Sequence, residues 1–177
     1  MGVTVKPVTS AVGAEIFGVD LRRLNDQDFA AIERAWYAHS MILLRGQTLS
    51  DDDLLAFSRR FGELDPPPNQ ERGRISPPGY PDIYVVSNVL DAKGDPIGAL
   101  GDGEAVWHTD MSYLDTPPDA SMLYSLEIPP TGGNTWFTGT IPTPPAPPVG
   151  GDDDHHEDRL AEGEASHAAI VDPAARR

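Results

Sequence analysis

A histidine and an aspartate separated by one residue, in Trp107-His108-Thr109-Asp110, are the residues of this chain best suited to chemistry on a metal ion. In a strand, residues i and i+2 share a face, so His108 and Asp110 can converge on one ion while Thr109 points away. One imidazole and one carboxylate are two thirds of the 2-His-1-carboxylate set that leaves a face of an iron ion open. Zinc with a bound water accepts the same two residues, and a hydrolase is the corresponding alternative. The bland reading is an exposed strand-edge histidine beside a loop aspartate. Some twenty residues further on comes Thr131-Gly132-Gly133-Asn134-Thr135, a polar, glycine-containing turn that a simple hydrolase gives no role.

Elements able to position these residues are legible along the chain. Val3–Val8 and Ala14–Val19 read as short strands. Asn25 or Asp26 is a good N-cap, and Phe29, Ile32, Trp36 and Tyr37 recur at helical spacing, which predicts a helix over 26–39. Met41–Leu44 reads as a buried strand ending at the polar turn Arg45-Gly46-Gln47. Ser50 followed by Asp53 resembles a capping box for a helix that stops at Gly62. A proline-rich loop then runs from Pro66 to Gly79, of a length that often marks a lid. Ile83–Ser87, Val106–Asp110, Ser121–Ile128 and Asn134–Phe137 are further strand candidates, with a glycine-rich loop from Asn88 to Glu104. Early helices followed by many strands predict an α+β or sandwich architecture rather than alternating βαβ units.

Composition bounds the function. The chain has 177 residues, 39% of them hydrophobic, which suffices for one domain with a core. Its formal net charge of −15 leaves no basic face for nucleic acid. With no cysteine there is neither a disulfide nor a thiolate metal site. The N-terminus has no signal-peptide pattern, Lys6 stands where myristoylation favours Ser or Thr, and no apolar run approaches a membrane span of about 20 residues. A soluble cytoplasmic protein without membrane partners is the expectation. After Phe137 no aromatic residue occurs, and 141–177 holds eight acids against three arginines behind Ile141-Pro-Thr-Pro-Pro-Ala-Pro-Pro148. Such a segment buries too little to offset its ordering entropy, so 1–140 is expected to be the domain and 141–177 a disordered tail.

Gly103 to Pro118, which contains Trp107-His108-Thr109-Asp110 and Thr116-Pro117-Pro118, together with Thr131-Gly132-Gly133-Asn134-Thr135 and the earlier Phe61-Gly62-Glu63-Leu64, resembles the TauD/TfdA family of Fe(II)/2-oxoglutarate-dependent dioxygenases. The resemblance covers about residues 1–140. It implies a double-stranded β-helix, a form of jelly roll, with flanking helices. It also implies Fe(II) as cofactor and 2-oxoglutarate and O2 as cosubstrates, with hydroxylation of a small organic molecule and release of succinate and CO2. Carried over by position, His108 and Asp110 match iron ligands and Thr135 matches the threonine that helps hold 2-oxoglutarate. Trp107 is expected to pack against the barrel wall. Asn88 and Glu104, bounding the glycine-rich loop, are candidate substrate contacts, and a carboxylate at Glu104 would repel a sulfonate such as taurine. Arg72 and Arg74 could meet an anionic substrate from the proline-rich loop.

The resemblance also implies a distal histidine as third ligand and an arginine for the far carboxylate of 2-oxoglutarate. His155, His156 and His167 are the later histidines, and none has the surrounding strand pattern the family needs. The change of character near residue 140 reads as a truncated or frameshifted family member with impaired turnover. Half a jelly roll exposes sheet edges that invite another chain, a homo-oligomer included. The non-enzymatic alternative is a binding fragment whose acidic tail is an interaction segment.

Overall fold

The computed structural model describes residues 2–64, 76–100, 107–128, 130–131 and 134–139, together with the backbone of 167–173. The chain forms two compact units, Met1–Thr48 with Asp119–Arg177, and Leu49–Pro118.

The first unit is built on a five-stranded sheet. β1 (Thr4–Pro7) pairs antiparallel with β2 (Ala14–Phe17). A single 3-10 turn, Leu21–Arg23, leads to α1 (Asp26–His39), and the chain returns in β3 (Met41–Gln47), parallel to β2. β2-α1-β3 is therefore a parallel crossover of the kind that the order of elements in the sequence argued against. Its cause is local. Asn25 Oδ1 accepts from the Asp28 amide at 2.8 Å and starts the helix, while Asp26 and Asp28 favour its positive end. Phe29, Ile32, Ala35 and Trp36 then bury one stripe against the strands. Ser40, in the left-handed conformation at φ +62°, ends the helix by donating its amide to the Trp36 carbonyl.

On the sheet side the core consists of Ala14, Ile16, Ile42 and Leu44, which alternate with more exposed neighbours as one packed face requires. Fully burying a side chain such as Ile32, Ile42 or Leu44 contributes about 1.5–3 kcal/mol. The expected turn at Arg45-Gly46-Gln47 is instead the end of β3, with a register irregularity between Leu44 and Gln47 that Gly46 accommodates at φ +70°. This irregularity turns Gln47 inward. Its Oε1 accepts from the Leu21 amide at 3.1 Å, and its Nε2 donates to the carbonyls of Val19 and Arg45.

β6 (Ala120–Tyr124) and β7 (His167–Pro173) complete this sheet in the order β1-β2-β3-β7-β6. The expected strand at Ser121–Ile128 is thus shorter and starts one residue earlier. Asn134–Phe137 is not a strand. Within 141–177, the expected tail, residues 167–173 form β7, which pairs in parallel with β3 and with β6. The residues before it, 140–166, lie outside the described residues.

The second unit opens with α2 (Asp51–Ser58). Its capping box is complete: Ser50 Oγ accepts from the Asp53 amide, and Asp53 Oδ2 accepts from the Ser50 amide at 2.9 Å. The helix ends at Ser58, and two turn hydrogen bonds carry the chain on to Phe61, whose ring meets Phe57 edge-on at 5.4 Å. Asp52 accepts a hydrogen bond from the Tyr80 side chain and pushes that phenol upward, tying the turn at 77–80 to the helix. The strand expected over Ile83–Ser87 is reduced to β4 (Val86–Ser87), which pairs parallel with β5 (Ala99–Leu100).

Candidate metal centre

His108 and Asp110 lie in the second unit, downstream of the β4–β5 ladder. Asp91 shapes the connection between those strands. Its Oδ1 accepts from the amides of Lys93 and Asp95, while its own amide donates to the Asp95 carbonyl. These amide donors hold the Asp91 carboxyl below the usual carboxylate range. Gly94, at φ +87°, closes the turn. Further along, Gly98 lets the strands approach: a Cβ there would stand 2.6 Å from Ser87 Cβ and 2.7 Å from its backbone nitrogen.

Residues 107–109 have no regular secondary structure, so the strand expected over Val106–Asp110 is absent where it is described. A turn at Asp110 breaks it. Met111 adopts φ +52°, and the Leu114 amide donates to the Met111 carbonyl at 3.0 Å. The two side chains nevertheless converge. His108 Nε2 stands 3.3 Å from Asp110 Oδ1, with the side chains 56% and 49% exposed. Two donors about 2.1 Å from one ion stand roughly 3.0 Å apart at an octahedral right angle and roughly 3.4 Å apart at a tetrahedral angle. The observed 3.3 Å is the distance of a direct His–Asp contact and falls between these two values. Solvent reaches both groups, as an ion with open positions requires.

Among the described residues no group of three or more His, Cys, Asp or Glu is placed to hold a metal, so the described donor set is a pair. Thr135 is exposed, in the irregular segment 134–139 of the first unit. Asn88 is exposed just after β4. Glu104, Arg72, Arg74, His155 and His156 lie outside the described residues, and His167 opens β7 in the first unit. Trp107 is 56% exposed rather than packed on a wall. Reading the sequence missed Gly98 as the point of close approach, although its place in a glycine-rich loop was a signal. It also missed the turn at Met111, for which methionine carries none.

A His-x-Asp pair with donor atoms 3.3 Å apart supplies two of the three residue types of the set that non-haem iron enzymes use. The sequence comparison makes this specific. The family model described as "Taurine catabolism dioxygenase TauD, TfdA family" matches residues 4–140, and the chain belongs to that family. The family's α-ketoglutarate-dependent dioxygenases use Fe(II) with 2-oxoglutarate as cosubstrate. Among its relatives, the (S)-phenoxypropionate/alpha-ketoglutarate-dioxygenase of Delftia acidovorans is 30% identical over 142 residues, covering 75% of this chain and 45% of that protein. Pentalenolactone F synthase of Streptomyces avermitilis is 37% identical, covering 73% and 42% respectively. The alpha-ketoglutarate-dependent 2,4-dichlorophenoxyacetate dioxygenase of Cupriavidus pinatubonensis is 34% identical, covering 77% and 50%. The chain therefore spans half or less of the length of these relatives. A solved taurine dioxygenase from Burkholderia xenovorans aligns at 33% identity and a TM-score of 0.41, over 48% of this chain and 28% of that one. Among the described residues no helix is long and apolar enough to cross a membrane.

Proposed function

We propose that the whole protein is an Fe(II)- and 2-oxoglutarate-dependent dioxygenase that hydroxylates a small organic molecule, releasing succinate and CO2. The observation that carries this reading is the 3.3 Å approach of His108 Nε2 to Asp110 Oδ1, inside the stretch that matches the family model. In this reading His108 and Asp110 hold the iron and Thr135 contacts the 2-oxoglutarate. Asn88 and Glu104 are the candidate substrate residues in this reading. Iron, when bound, supplies the activation of O2 and the oxidation that follows. The protein's part is to offer two donors of opposite character, an imidazole and a carboxylate, on one short segment of chain. The carboxylate offsets part of the cation's charge while the imidazole, softer and neutral, leaves the ion electrophilic.

The reading extends to the fold and the setting. The strands of residues 1–140 belong to a double-stranded β-helix, and the acidic balance of −15 suits a cytoplasmic protein that acts on small molecules rather than on nucleic acid. Among the described residues the donors are a pair, and a pair holds Fe(II) less tightly than three, so weak iron binding and low turnover are part of this reading. Anaerobic calorimetry with Fe(II), with and without 2-oxoglutarate, tests the metal assignment, and succinate release under air tests the activity. Fe(II) binding that 2-oxoglutarate strengthens, and that His108→Ala abolishes, is the expected result. Binding indifferent to His108→Ala overturns the site, and rapid iron-dependent succinate release by this chain overturns the impairment.

A further inference from the structure

The family model ends at residue 140, yet the sheet of the first unit has a central strand that comes from beyond it. β7 stands between β3 and β6 and is paired on both flanks. Three residues share each row of this band: Met41, Ala168 and Ser121; Ile42, Ala169 and Met122; Leu43, Ile170 and Leu123; Leu44, Val171 and Tyr124. Both ladders are parallel and run without a shift through these four rows.

We infer that the β3 and β6 strands form a slot that accepts one extended parallel strand, and that residues 167–173 of this chain are its built-in occupant. Three observations converge on this assignment. Without an inserted strand, β3 and β6 would each present a row of unpaired amides and carbonyls, and β3 carries Ile42 and Leu44, which are fully buried. Parallel pairing requires a crossover of a dozen or more residues, and the 42 residues 125–166 between β6 and β7 supply that length. The sequence supplies the right composition as well. Ala168-Ala169-Ile170-Val171 is the one run of four apolar residues in 141–177, and a short continuous apolar run is what a parallel strand covered on both faces takes. Seven of the tail's eight acids lie before it, at Asp152–Asp154 and at Glu157, Asp158, Glu162 and Glu164, so the strand carries a single acid, Asp172, after its apolar run.

The chain has no cysteine, so paired cysteines report the register directly in the full-length protein. Ser121→Cys with Ala168→Cys joins two residues of one row, whereas Ser121→Cys with Ala169→Cys puts the second thiol on the opposite face. Under mild oxidation the first pair is expected to form an intramolecular disulfide at least tenfold faster than the second. Equal rates, or no disulfide in the first pair, overturn the assignment. Ile170→Pro gives an independent reading by removing a ladder amide from the middle of the strand. Amide exchange in β6 is expected to rise at least tenfold, and exchange within twofold of the parent overturns the assignment. If this variant does not fold, the cysteine pairs decide.

Discussion

His108 Nε2 and Asp110 Oδ1 stand 3.3 Å apart across a single intervening residue, on a segment that is not a strand. No regular strand covers 107–109, and a turn begins at Asp110. Both side chains are about half exposed, so each can be changed without opening a core. His108→Ala and Asp110→Ala are each expected to weaken Fe(II) binding at least tenfold while leaving the unfolding free energy within about 0.5 kcal/mol of the parent. Calorimetry and urea denaturation on the same preparations check this. An affinity that survives either change removes that residue from the site.

Gly98→Ala is expected to destabilise the second unit by about 1–3 kcal/mol, because the new methyl group meets Ser87 at Cβ and at the backbone nitrogen, and backbone cannot swing aside. Gly79→Ala is the control for space: nothing lies within 4 Å of a Cβ there, although its φ of +87° carries a backbone cost of its own. Denaturant midpoints of the two variants check the contrast, and a Gly98→Ala midpoint equal to the parent's refutes the close approach.

Gln47 holds the segment before α1 by two hydrogen bonds from one buried amide, to the Leu21 amide and the Val19 carbonyl, and makes a third to the Arg45 carbonyl of its own strand. Gln47→Leu keeps the approximate volume but strands the Leu21 amide and the Val19 carbonyl. The expected cost is about 1–3 kcal/mol. Thermal and urea unfolding measure it, and a neutral result would mean that water replaces the amide.

Acid should act on the first unit through Asp20. The Arg22 side chain, then the Arg22 amide, hold its carboxyl at about 2, below its ordinary value of 3.8. A depressed carboxyl contributes stability that is fully present above the unfolded value and is lost as pH falls towards the folded one. The contribution of Asp20 is therefore present above about pH 4 and fades between about pH 4 and pH 2. Asp20→Asn is expected to flatten that part of the stability profile and leave the shape above pH 5 unchanged. Denaturation midpoints at pH 7, 4 and 2.5 check it, and parallel profiles would show that the Asp20–Arg22 pair contributes nothing.

Local signals made the first sixty residues readable. α1 runs over the expected 26–39 because its apolar stripe repeats at helical spacing between a capping Asn25 and a left-handed Ser40, all within one stretch of chain. The Ser50–Asp53 box is likewise a relation between near neighbours. β7 was illegible for the opposite reason. Four apolar residues after a proline-rich and acidic run look like nothing by themselves, and their partners lie as far back as Met41. The parallel pairing of β2 with β3 was hidden in the same way, since pairing direction is decided by where α1 packs and not by either strand's composition. At the candidate site, residue types were legible and backbone shape was not: His108 and Asp110 stand out as metal donors, but a positive φ at Met111 has no compositional mark.

The borders of the five-stranded sheet are unlike each other. β1 carries Lys6, its ammonium over the Phe17 ring, and ends in Pro7, which has no amide to offer. The opposite border, β6, reads Ala-Ser-Met-Leu-Tyr and contains neither charge nor proline. Growth of the sheet by a visiting strand is therefore opposed at β1 by chemistry that β6 does not carry. A lysine introduced at Leu123, which is already 42% exposed, would give β6 a charge of the kind that β1 carries in Lys6.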